Sequence, residues 1–127
     1  MKLKKQAAVL IFGLLSLSLT GTGEENGNLF TLQTKASQGD VEAQVLLGNY
    51  FYFGDGVPKN EKEAVKWFCM AASKNDPEAQ CMMGLCCYFG TGVSKNTQQA
   101  IKWWQKAAAQ NDADAKFALS RLGVSSR

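Results

Sequence analysis

The stretch Ala43–Asn60, AQVLLGNYFYFGDGVPKN, returns at Ala79–Asn96 as AQCMMGLCCYFGTGVSKN. The register holds beyond it, because Ala64, Trp67, Ala71 and Ala72 recur as Ala100, Trp103, Ala107 and Ala108, each pair 36 residues apart. A period of this length marks a stacked array of helical hairpins, in which each unit buries its apolar face only against its neighbours. The expected fold is all-α: an α/α solenoid of two complete 36-residue hairpins, at about 40–75 and 76–111, flanked by half-repeats at 29–39 and 112–122.

The N-terminus stands outside that pattern. Lys2, Lys4 and Lys5 precede a mostly apolar run, Ala7–Leu19, and small residues follow at Thr20–Gly23. Basic start, short apolar stretch and small-residue exit read as a secretory signal peptide over 1–23. The run is shorter than the roughly 20 apolar residues of a membrane-spanning helix, so an uncleaved anchor is the weaker reading. The mature chain is expected in the periplasm or outside the cell. Residues 24–28 read as a linker and 123–127 as a tail. The chain carries 14 basic and 11 acidic residues, and three of the lysines lie in the leader, so from Glu24 onward the count is 11 against 11. No basic patch remains for nucleic acid, and no membrane contact is expected beyond the leader.

Local signals divide each unit into two helices. Asp40 is an N-cap for a helix running to about Phe53, and Gly54-Asp55-Gly56-Val57-Pro58 ends it. Asn60 with Glu63 forms the pattern of a capping box for a second helix to about Lys74, and Asn96 with Gln99 repeats it. Asn75 and Asn111 take the left-handed place held by Gly39; Asp76 and Asp112 cap, and Pro77 suits the first helical position. Gly48 and Gly84 open room for a partner helix, and Trp67 and Trp103 are expected to fill the space between hairpins, at roughly 1.5–3 kcal/mol per large side chain buried.

These residues resemble the Sel1-like repeat (SLR), a relative of the tetratricopeptide repeat. The resemblance rests on Ala43-Gln44, Leu47-Gly48, Gly54-x-Gly56-Val57, Ala64, Trp67 and Ala71-Ala72, and covers about Leu29 to Leu122. It implies a helical, non-enzymatic adaptor that holds another protein on its concave face, and bacterial members include immunity proteins against toxins. Trp67, Trp103, Trp104 and Phe68 follow the core-facing stripe of the second helix and read as core rather than as a ligand box, although Phe68 and Trp104 fall at a position partly exposed in the family. The second copy departs from the pattern with Met83 for leucine and Cys87 for the aromatic residue at Phe51.

Of the cysteines, Cys81, Cys86 and Cys87 share one helix. Pairs among them lie either too far apart along its axis or too close, so any bridge must use Cys69. Cys69 and Cys81 are equidistant from Asn75, and some secreted family members carry a comparable bridge across this turn. The other reading is that the cysteines are small core residues. Without histidine or a C-x-x-C spacing, no metal site is expected.

The first helices carry a second stripe. Leu46, Asn49 and Phe53, with Met82, Leu85 and Phe89 in register, are apolar at five of six positions where a solvated face is polar. Tyr52 and Tyr88 flank them. Such a stripe marks the binding of a protein or peptide, or packing against a second copy of the chain. With no histidine, no activated serine and acidic residues placed as helix caps, neither catalysis nor a cofactor is expected. A scaffold of the cell envelope is the leading function, beside an immunity or inhibitor protein and a structural homo-oligomer.

Overall fold

The computed structural model describes residues 21–126, with side-chain surroundings from Asn28 onward. The leader read over 1–23 thus lies almost wholly outside the described residues. Among the described residues six helices follow one another with no strand between them: α1 (Gly21–Ser37), α2 (Val41–Phe53), α3 (Glu61–Ser73), α4 (Pro77–Phe89), α5 (Thr97–Ala108) and α6 (Ala113–Arg121). Among the described residues no helix is long and apolar enough to cross a membrane. One expectation is corrected at the start. Residues 24–28 belong to α1 rather than to a linker, since extending a helix already nucleated by the packed turns after it costs little per residue.

The caps fall where the sequence places them. Asp40, Asp76 and Asp112 each accept the backbone N–H three residues on, at 2.9 Å. Asn60 and Asn96 do the same at 3.0 Å. The capping box, however, is made on one side only. The Asn60 and Asn96 N–H groups donate instead to the carbonyls of Phe51 and Cys87, at 2.9 and 2.7 Å, so the ends of α2 and α4 are tied to the starts of α3 and α5. The Glu63 carboxylate is thereby released to accept the Trp67 indole N–H at 3.1 Å. Gly39, Asn75 and Asn111, at φ 99°, 74° and 69°, turn the chain between layers.

The close approach within each hairpin is filled by one ring from its second helix. A Cβ on Gly48 would lie 2.6 Å from Phe68 Cε1, and one on Gly84 would meet the Trp104 indole. Phe68 and Trp104 are thus the buried pair, 0 % and 3 % exposed, core residues as their spacing predicts although the family position is partly exposed. Trp67 is also buried, but against Ala36, Ala43 and Leu47, between α1 and the first hairpin. Trp103 is only partly buried, beside the main core. Adjacent residues point about 100° apart on a helix, so 68 and 104 enter the hairpin while 67 and 103 turn to the preceding layer. Alanines at 64, 71, 72, 100, 107 and 108 are also buried and let the backbones approach, beside larger core residues such as Leu47, Met83 and Leu119.

Candidate functional site

One face of α2 and α4 is left out of this core. Leu46, Phe53 and Phe89 are 44 %, 68 % and 65 % exposed. Met82, Leu85, Tyr52 and Tyr88 are half-buried, each resting one side on the core. Asn49, also half-buried, reaches from α2 to α4 and donates to Glu78 Oε1 at 3.3 Å. Of the eight residues singled out in the sequence, Leu46, Phe53 and Phe89 are thus exposed, and the other five are half-buried.

Each end of that face carries a distinct chemistry. At the C-terminal ends, Tyr52 meets Phe53 edge to face at 4.9 Å and, on its inner side, the Phe68 ring at 6.2 Å. Tyr88 repeats this with Phe89 at 5.0 Å and Trp104 at 5.6 Å. A buried ring thus steadies a half-buried tyrosine, which steadies an exposed phenylalanine. Rings pre-held in this way lose little freedom when a partner covers them. At the N-terminal ends, a groove of about 490 Å³ between α2 and α4 is lined by Val41, Val45 and Leu46 with the carboxylates of Glu42, Asp76 and Glu78.

The sequence did not single out Phe117 or Phe30, which are 66 % and 72 % exposed. Phe117 stands in register with Val45 and Cys81, both buried. The 36-residue offset alone would have flagged it as the member of that row without a covering helix.

The cysteines correct an expectation. All four are free thiols, and the Cys69–Cys81 bridge is not formed. Cys69 is exposed on α3, while the Cys81 thiol is buried beside Trp104 and Asp112. Equal distance from Asn75 sets their level along the two helices but not the direction in which their side chains leave. Burial pushes the Cys81 thiol up to about 12, with Asp112 and Asp114 adding to it. Burial likewise raises Cys86, to about 11, and Cys87, whose second influence is Cys69. These are protonated core thiols, poor as nucleophiles or metal ligands at neutral pH.

Two stretches, 41–76 and 77–112, each match the family model of the Sel1 repeat. The chain belongs to the Sel1 repeat family. Among solved structures, the Sel1 repeat protein from Oxalobacter formigenes is similar at 34 % identity over 84 % of this chain, with a TM-score of 0.73. A protective antigen present in uropathogenic Escherichia coli strains, displaying an SLR fold, is similar at 32 % identity over 69 % of the chain, with a TM-score of 0.68. Helicobacter pylori cysteine rich protein B is similar at 26 % identity over 75 %, with a TM-score of 0.70. This Sel1 chain spans 46 %, 19 % and 71 % of those three. No curated protein is matched. The Sel1 fold is commonly a protein–protein interaction scaffold and generally non-catalytic.

Proposed function

We propose that this Sel1 repeat protein is a non-enzymatic interaction module that holds a segment of another protein on the α2–α4 face, the concave side in the expected arch. The observation that supports this is the set of apolar side chains left exposed on one helix of each repeat, Leu46 with Phe53 on α2 and Phe89 on α4, with Met82 half-buried beside them. A face of this kind on a folded chain is an interaction surface. Its exposed rings are backed by half-buried tyrosines, as interface anchors are. The basic and apolar start of the sequence supports a module that works in the periplasm or beyond after removal of residues 1–23.

The test is a pair of substitutions, Leu46→Lys with Met82→Lys. Wild-type protein recovers a partner from the envelope fraction; the double variant loses it while its helical circular dichroism is unchanged. Unchanged recovery would contradict the reading, and so would loss of helicity, since that would make the stripe part of the core.

A further inference from the structure

Two of the helices carry acidic side chains and no basic ones. α2 and α4 hold Glu42 and Glu78 and neither lysine nor arginine. α3 and α5 hold Lys62, Lys66, Lys102 and Lys106, and α3 also carries Glu61 and Glu63. Among the described residues the ion pairs are Lys59–Glu61 and Lys66–Glu63, both on α3 or its approach. Glu42 and Glu78 therefore have no cation against them, and the polar contact of Glu78 is the Asn49 amide at 3.3 Å. They lie in one groove with Asp76 and the apolar side chains of Val41, Val45 and Leu46. In α6, Asp114 continues the acidic row, and Arg121 in register with Asn49 and Leu85 ends the apolar one.

We propose that the occupant of the α2–α4 face is a cationic amphipathic helix of another protein, laid across the two helices. Its basic flank rests on Glu42 and Glu78 and its apolar side on Leu46, Met82 and Leu85. This deepens the scaffold reading and rests on it. The dimensions agree. Glu42 and Phe53 are eleven residues apart on α2, about 16 Å at about 1.5 Å per residue, and a helix with its side chains is about 10–12 Å across. One helix fits between the acidic and the aromatic rows. The unpaired carboxylates favour a cationic partner and repel an acidic one, which is how such surfaces choose register and exclude competitors.

The experiment uses the full chain and two labelled amphipathic peptides of about 18 residues, five turns of helix, one of leucine and lysine and one of leucine and glutamate. Fluorescence anisotropy is expected to show the lysine peptide binding about tenfold or more tightly than its acidic counterpart, a difference of about 1.4 kcal/mol. Its affinity should fall as salt rises from about 0.1 to about 1 M, where the screening length shrinks from about 10 to about 3 Å. Both effects should disappear in the Glu42→Gln, Glu78→Gln double variant, whose positions are exposed and leave the fold intact. Equal binding of the two peptides would overturn the cationic partner while leaving the apolar scaffold standing. Binding of neither, as when residues 1–20 or a second copy already covers the face, would overturn the proposal as well. The envelope-capture experiment above then decides separately whether the scaffold reading survives.

Discussion

A methyl group at position 48 would sit 2.6 Å from the Phe68 ring, closer than any relaxed contact. Alanine is the better helix former by about 1 kcal/mol, yet overpacking of a filled core costs about 1–3 kcal/mol. The clash wins. Gly48→Ala is expected to lower the urea-unfolding free energy by up to about 2 kcal/mol, the overpacking cost less the propensity gain, and a gain would show that the ring moves freely. Titration gives a second expectation. In the unfolded chain Cys81 ionises near 9.0, and in the folded chain near 12. Folding therefore favours the neutral thiol: this stabilisation is whole below the unfolded value and drains away as pH climbs from about 9 toward about 12. Val45 fills the same register in the first repeat, so Cys81→Val keeps the shape and removes the proton. Its unfolding midpoint should fall less than wild type's between pH of about 8 and about 11. An equal fall would place the alkaline loss elsewhere. At this scale the glycines were legible in the sequence, but their partners were not. Positions 67 and 68 are both aromatic, and only the crossing of α2 with α3 decides which of them faces Gly48.

Each pair of layers is joined by the same device with different letters. Lys74 Nζ donates to the Gly39 carbonyl at 2.8 Å, and 36 residues on Gln110 Nε2 donates to the Asn75 carbonyl at 2.8 Å. Gln110 does more, since it also donates to Gln80 Oε1 at 3.0 Å. Gln80 is almost wholly buried and donates in turn to Asn75 Oδ1 at 3.0 Å. In the first layer Gln44 donates to the Ala36 carbonyl at 3.0 Å, while its buried Oε1 has no hydrogen-bond partner. Lys74→Gln puts a forked amide where Gln110 stands and supplies the missing donor. It should stabilise the protein by about 0.5–1.5 kcal/mol, the net value of one hydrogen bond, measured by urea unfolding; no change would mean that Gln44 is already satisfied. Helix ends were the part of the elements most readable from sequence, because a cap is local: Asp, Asn, Gly and Pro act within three or four residues. The return arm of the capping box failed because a non-local partner, the carbonyl ending the previous helix, claimed the Asn60 N–H first. The proposed bridge of Cys69 with Cys81 failed for a related reason, since spacing from a turn does not fix side-chain direction.

Across the whole molecule, a 36-residue period dictates layers, each layer spends one face on its neighbour, and a second face of α2 and α4 stays outward. The period was legible at once, and so was the apolar stripe. What sequence could not show is that Met82 and Leu85 lean on the core while Phe53 and Phe89 stand clear of it, because that depends on how far each helix rolls in its layer. The outward face joins carboxylates at one end to steadied aromatic rings at the other, while Lys62, Lys66, Lys102 and Lys106 belong to other helices, α3 and α5. A photo-crosslinking phenylalanine analogue placed at Phe53 or Phe89, and in separate proteins at Lys66 or Lys102, tests this division of faces most directly. The account predicts that the partner is crosslinked from 53 and 89 and not from 66 or 102; crosslinks arising from 66 and 102 instead would contradict it.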